Sequence, residues 1–272
     1  MRNNLVILLF LVCVCTLHSE YVHISKQTGE IPENKIYCAM TDTKGFVWFG
    51  TDNGALRWNG SKWTYMNERN SSLYSHFKDP FYISSMACND DGVRYFGATV
   101  MIEYGSAFGL MTYDGNRWKG YDKSTSGLRG VNISSITCDG GSVWAMSEEG
   151  LNKFDGNNWK HFAFNEIQKT SEIPQHFKES KDYIDGKVIN CKATTSNGEV
   201  WFGTNSGLYR NGKPYAEISD NITAIAVDAE NKIYVGTANN GIYVVTAPAT
   251  PTKQGKQQLV DKPINKKSSK KK

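Results

Sequence analysis

Short runs of alternating apolar and polar residues recur five times along the chain: IYCAMTD (36–42), ISSMACN (83–89), ISSITCD (133–139), VINCKAT (188–194) and ITAIAVD (222–228). Each run leads into a compact core with a common skeleton: VWFGT (47–51), RYFGA (94–98), VWAMS (143–147), VWFGT (200–204) and IYVGT (233–237). A Gly-apolar step follows in every unit: Gly54-Ala55, Gly109-Leu110, Gly150-Leu151, Gly207-Leu208 and Gly241-Ile242. Units 1 to 4 continue with Asn59-Gly60, Asp114-Gly115, Asp155-Gly156 or Asn211-Gly212, and then Trp63, Trp118, Trp159 or Tyr215. Asn-Gly and Asp-Gly supply the positive φ angles of tight hairpin turns, and short alternating runs between such turns are strands. Each unit therefore predicts four short antiparallel strands.

A lone four-stranded sheet leaves both faces uncovered, and repetition around an axis lets neighbours bury each other. The fold class expected is all-β, a five-bladed β-propeller of four-stranded antiparallel blades. An open solenoid is the structural rival, and the ends of the repeat array favour the ring. Unit 5 stops after its third strand, GIYVV (241–245), without a turn or a closing aromatic. The segment YVHISKQTGEIPENKI (21–36) matches WKGYDKSTSGLRGVNI (118–133), which joins the last strand of unit 2 to the first of unit 3. YVHIS is therefore expected to supply the missing fourth strand of the last blade and remove an exposed edge.

Outside the repeats the composition changes. Residues 1–19 carry Arg2 and an apolar run from Leu5 to Leu17. That run is short for a membrane span and fits a secretory signal peptide. Cys13 or Cys15 would be the alternative lipid-modified residue, but Val12 and Val14 precede them where a small residue is favoured. The expected organisation is a signal peptide over 1–19, a propeller over 20–247 and a disordered Lys-rich tail over 248–272. The expected location is exported: periplasmic, cell-surface or secreted. The net charge of +4 misleads, because residues 253–272 hold eight lysines and one Asp. Without that tail and Arg2, 22 of the 31 basic and 26 of the 27 acidic residues remain. A body lacking a basic excess argues against a specific nucleic-acid binder. The tail suits contact with an anionic envelope polymer, membrane headgroups or nucleic acid, and a solvated end explains it equally well.

Four cysteines follow the leader, Cys38, Cys88, Cys138 and Cys191. An even count in an exported chain invites disulfides, but all four fall within first strands as small core-type residues, so free buried thiols are expected. Cys88 and Cys138 align with Val227, Cys191 with Ile225, and Cys38 falls on the other face.

The line N-x-I…D…G-x-V-W-F-G-T…G-L…D-G…W resembles the two-component regulator propeller repeat across roughly residues 21–246. In bacteria that repeat builds extracytoplasmic sensor regions of large histidine kinases, so the resemblance implies an all-β sensor propeller and ligand binding. WD40 and kelch signatures are absent. No kinase region, receiver or transmembrane helix follows the repeats in this sequence, so the resemblance carries over no signalling output. An exported propeller standing alone is expected.

Motifs for a metalloprotease helix, a phosphate-binding loop or a nucleophile elbow are missing. No catalytic residue, metal or cofactor is expected. Asp42, Asp139 and Asp228 recur after first strands as turn formers, and the tryptophans read as inter-blade core. Function is expected where the repetition is interrupted: 67–82, 99–108 and 163–186. Strand 2–3 loops and blade-to-blade joints emerge on the same face of a propeller, so all three insertions crowd one rim. Their aromatic and ionisable residues are the candidate ligand-binding set: Tyr74, His76 and Phe77; Glu103, Tyr104 and Phe108; His176, Phe177, Tyr183 and Asp185. Met101 belongs to the second insertion as well, and EIPQHFKESKDYI (172–184) is also compatible with a short helix capping the channel. The leading expectation is a non-enzymatic, monomeric binder of a small molecule, glycan or protein. A glycan- or envelope-acting lyase or hydrolase, using His76, His176, Glu103 and Asp185, is the first alternative. A structural envelope protein tethered by the cationic tail is the second.

Overall fold

The computed structural model describes residues 21–67, 80–102, 105–179, 181–215 and 217–245. They form five antiparallel sheets arranged as a five-bladed β-propeller. Blade 1 runs Ile36–Thr41, Val47–Thr51, Gly54–Trp58 and Trp63–Met66. Blade 2 runs Phe81–Cys88, Arg94–Ile102, Gly105–Tyr113 and Trp118–Asp122. Blade 3 runs Ser135–Asp139, Ser142–Ser147, Gly150–Phe154 and Trp159–Phe162. Blade 4 contains Lys187–Thr194, Val200–Thr204, Gly207–Arg210 and Lys213–Tyr215. Blade 4 also departs from the four-strand expectation: the joint before it adds a fifth strand, Tyr183–Ile184, paired to the start of Lys187–Thr194.

Blade 5 joins both ends of the described chain. Ile222–Val227, Ile233–Thr237 and Ile242–Val245 are completed by Tyr21–Ile24, with Tyr21 opposite Val245 and Ile24 opposite Ile242. This is the expected closure. Ile24 is buried in the core shared by blades 5 and 1, and His23 stacks on Tyr243. Deleting residues 21–26 strips the outer strand from blade 5 and removes one buried isoleucine. The expected result is a fall in melting temperature of roughly 10 °C or more, read by circular dichroism; an unmoved transition would refute ring closure.

A recurrent turn explains how each blade starts. Asp42, Asn89, Thr195 and Asp228 each lie five residues before the first residue of the second strand. Their side-chain oxygens accept backbone N–H groups of the turn: Lys44 and Phe46 donate to Asp42, Val93 to Asn89, Glu199 to Thr195, and Glu230 and Lys232 to Asp228. In blade 3 a shorter Gly140-Gly141 turn joins Asp139 to Ser142, and both glycines have positive φ. The other oxygen of Asp42 accepts from Trp48 Nε1 at 2.8 Å and Tyr234 donates to Asp228 at 3.0 Å. At the equivalent place in blade 4, Thr195 replaces the aspartate, and Trp201 Nε1 is buried without a hydrogen-bond partner.

Four seams between blades share one packing device. The Gly of the second-strand core faces an isoleucine at the start of the next blade: Gly50 meets Ile83, Gly97 meets Ile133, Gly203 meets Ile222 and Gly236 meets Ile36. A small residue of the glycine's own blade, Cys38, Ser85, Cys191 or Ala224, fills the other side. Four hydrophobic clusters then bridge blades 1–2, 5–1, 2–3 and 4–5. The seam between blades 3 and 4 differs. Met146 stands in the glycine's place, and the next isoleucine, Ile189, is only half-buried where its counterparts are fully buried. Blade 3's outward face is covered instead by Ile167 and Ile173 of the joint, with Met146 and Phe177 packed against that cluster.

The four cysteines among the described residues are free and half-buried. Cys38 and Cys191 occupy equivalent positions, opposite Gly50 and Gly203, each two residues after a first-strand isoleucine, Ile36 or Ile189, and just past the β-bulge there. This corrects the expectation that they lie on different faces. Burial pushes the thiols of Cys38, Cys138 and Cys191 up to about 12, which keeps them protonated and poorly nucleophilic.

Candidate functional site

The first strands of all five blades surround a channel, and at one end the 3–4 joint leans over it. The joint opens with a single helical turn, Phe164–Ile167, whose Glu166 carboxylate accepts from the Ala163 N–H at 2.7 Å. A 3-10 turn, Gln175–Phe177, follows. The chain then enters the Tyr183–Ile184 hairpin, reversed at Asp185 and Gly186, both with positive φ. The joint is thus two separate turns and a hairpin rather than one capping helix.

His176 reaches the axis from the 3-10 turn. Its Nε2 lies 2.9 Å from Thr137 Oγ1 on the first strand of blade 3, and its ring packs on Phe177 with centroids 4.0 Å apart. Burial holds the imidazole below its usual pKa, against the weaker pull of Glu179 and Asp139. The shift favours the neutral imidazole, and one ring nitrogen is taken by Thr137.

Below His176 lies a cavity of about 700 Å³. Serines and small apolar residues of the first strands form its walls. Two features set it apart from a symmetric channel. First, it reaches a second-strand residue in blade 4 alone, Phe202. The equivalent Phe49 of blade 1 is completely buried, because blade 5 packs on it; Phe202 is half-buried beside the unsealed 3–4 seam. Second, residues of both charge signs line it: Glu179, Lys181 and Asp182 from the joint and Lys192 from blade 4. All four are exposed, and among the described residues their side chains make no ion pair or hydrogen bond with each other or with any neighbour. Lys192 Nζ sits 5.7 Å from the centre of the Phe202 ring.

Of the residues singled out in the sequence, His176 lines this cavity. Phe177 packs on the blade 3 cluster. Tyr183 is 65% exposed, and Asp185 forms the hairpin turn; neither lines the cavity. Phe108 belongs to a β-ribbon, since residues 99–102 pair with 105–108 as an extension of the blade 2 hairpin rather than a loop. Its ring lies over Gly120, at the place a Cβ would occupy. Tyr74, His76, Phe77, Glu103 and Tyr104 lie outside the described residues. Glu179, Lys181, Asp182, Lys192 and Phe202 escaped the sequence reading. The methionine in VWAMS, where the other cores carry glycine, marks the open seam beside Phe202 but gives no sign of the four charged residues.

Other hollows are less distinctive. One of about 360 Å³ lies between Cys88 and Cys138. Another of about 390 Å³ lies beside Trp58 and Trp63, an aromatic pair that recurs as Tyr113–Trp118 and Phe154–Trp159 and so serves the blades. Among the described residues no group of three His, Cys, Asp or Glu side chains is placed to hold a metal ion.

Comparison with known proteins agrees with the repeat. Residues 30–53 match the family model described as two component regulator propeller. No curated protein matches the chain. Among solved structures, the extracellular domain of one B. thetaiotaomicron hybrid two component system is similar at 14% identity, with 84% of this chain and 42% of that one covered and a TM-score of 0.43. A second such domain from the same organism matches at 14% identity, with 84% and 40% covered and a TM-score of 0.48. The WD40 β-propeller domain of Doa1 matches at 10% identity, with 79% and 94% covered and a TM-score of 0.48. The chain thus spans about two fifths of the length of the two extracellular domains.

Proposed function

We propose that this chain, a propeller carrying the two component regulator repeat, is an exported binding protein that takes a small ligand at the channel mouth beneath the 3–4 joint. The observation that carries the reading is the coincidence of three departures from the repeat. The seam that lacks the Gly–Ile device is the one the long joint enters, and the cavity widens into that seam as far as Phe202. Rigid scaffolds collect function on such loops, and a concave site with a few converging polar groups suits ligand capture. Export is supported by the leader pattern of residues 1–19. The enzyme alternative draws no support from His176, whose close partner is a threonine hydroxyl rather than a carboxylate.

A thermal-shift screen against metabolites, peptides and glycans tests this. A ligand that binds the native state raises the melting temperature in proportion to the logarithm of its concentration. At least one class is expected to do so, and Phe202→Ala is expected to abolish the shift while the unliganded protein still melts cooperatively. A shift that survives Phe202→Ala, or no shift from any class, would refute the site.

A further inference from the structure

Resting on the channel-mouth reading, we infer that the ligand is a zwitterion of the α-amino acid type with an apolar or aromatic side chain: a free amino acid or a short peptide with both ends unblocked. The charges decide the class. Lys181 and Lys192 offer two cations, Glu179 and Asp182 two anions, and all four line one cavity without pairing internally. All four are exposed and solvated, so they select a ligand by attraction and repulsion across the cavity rather than by a desolvation cost. A simple anion would satisfy the lysines and face two carboxylates. A cation would do the reverse, and a neutral ligand would leave all four without counter-charges. A ligand bearing a carboxylate and an ammonium gains from both pairs.

The apolar part of the inference comes from Phe202. Its ring borders the cavity because no neighbouring blade covers it, and Ile189, which lines the same cavity, is half-buried too. A ligand side chain placed there would cover surface that blade packing covers in blade 1. The Lys192 ammonium over the Phe202 ring stands where a carboxylate close to that side chain would meet it. The cavity volume of about 700 Å³ exceeds one amino acid and accommodates two or three residues.

Isothermal titration at low salt tests the inference with a fixed set of probes: free phenylalanine, the tripeptide Ala-Phe-Ala, its N-acetylated, C-amidated and doubly blocked forms, and maltotriose. Ala-Phe-Ala or free phenylalanine is expected to bind, and the tighter of the two identifies the source. Blocking either end is expected to weaken the tripeptide at least tenfold. In Lys181→Met/Lys192→Met the penalty for amidation should vanish while that for acetylation persists; Glu179→Gln/Asp182→Asn should show the opposite. All four substitutions are at exposed positions, so melting curves should match the parent and separate lost binding from lost folding. Equal binding of blocked and unblocked peptides overturns the inference. So does the failure of every probe here alongside a hit of another class in the broad screen, which leaves the channel-mouth reading intact. Failure of every class in both experiments overturns both.

Discussion

Gly50→Ala is expected to lower the melting temperature by roughly 6–12 °C, corresponding to about 3 kcal/mol for a domain of this size. A Cβ at residue 50 would press into the Ile83 backbone carbonyl, with Cys38 Sγ and Ile83 Cγ2 also inside contact distance. A carbonyl in a first strand cannot swing away without moving the start of blade 2. Gly236→Ala provides the internal comparison. There the nearest obstacle is the Ile36 side chain, which can shift by tenths of an ångström, so the loss should be smaller. Differential scanning calorimetry on both variants checks the order. Equal and negligible shifts would mean that the Gly–Ile contacts do not hold the seams.

Arg94→Met is expected to destabilise the protein by about 3–5 kcal/mol at neutral pH, the usual penalty for orphaning a buried charge. Arg94 and Asp42 are both almost fully buried, and the guanidinium approaches Asp42 Oδ2 through Nε and through a second nitrogen, each at 2.8 Å. Burial alone would push the Asp42 carboxyl up. Hydrogen bonds from Trp48 and Arg94 outweigh it and hold the group below the usual carboxylate range. The sign of the pH dependence follows. A depressed folded-state pKa contributes stability that is present above the unfolded value, about 3.9, and is lost as pH falls through the folded value. The parent should therefore lose this contribution only in strong acid. Removing Arg94 raises the folded pKa, so the residual stability should start to fall at a higher pH. Asp42→Asn keeps an oxygen for the Lys44 and Phe46 amides and should show no acid transition from this site. Urea melts between pH 3 and 7 distinguish the three proteins. A parallel pH profile for parent and Arg94→Met would show that the pair is not coupled.

The regular parts of the ring were legible because their signals are local. Asn-Gly and Asp-Gly turns force positive φ, alternation marks strands, and the likeness of 21–36 to 118–133 revealed the shared blade. The common position of Cys38 and Cys191 was legible as well, since each lies nine residues before the first residue of a VWFGT core; matching the blade 4 run from Val188 instead of Ile189 sets Cys191 one place out. Two things were not local. The Tyr183–Ile184 strand is two residues long, below what alternation can show. The charges at 179, 181, 182 and 192 look in sequence like ordinary solvated residues. They converge only because the joint folds back over the axis, and an unpaired charge is a property of three dimensions. His176 was found because histidine is conspicuous in an insertion; Phe202 was missed because it sits in the best-conforming core of all, VWFGT, and its exposure depends on the blade next door.

The strand Tyr21–Ile24 also has a consequence for when the protein becomes itself. Its partner, Ile242–Val245, lies more than 200 positions along the chain, whereas the pairings inside blades 1 to 4 join neighbouring segments. Loop closure costs grow only slowly with length, so the final equilibrium is little affected. The search for so distant a contact weighs on the rate. Four blades can form as their own residues emerge, while the fifth must wait for its last strand to arrive. Until then Tyr21–Ile24 has no sheet to join. Blade 5 is thus the step at which a growing chain turns into a closed ring, and slow folding in this protein should be sought there first.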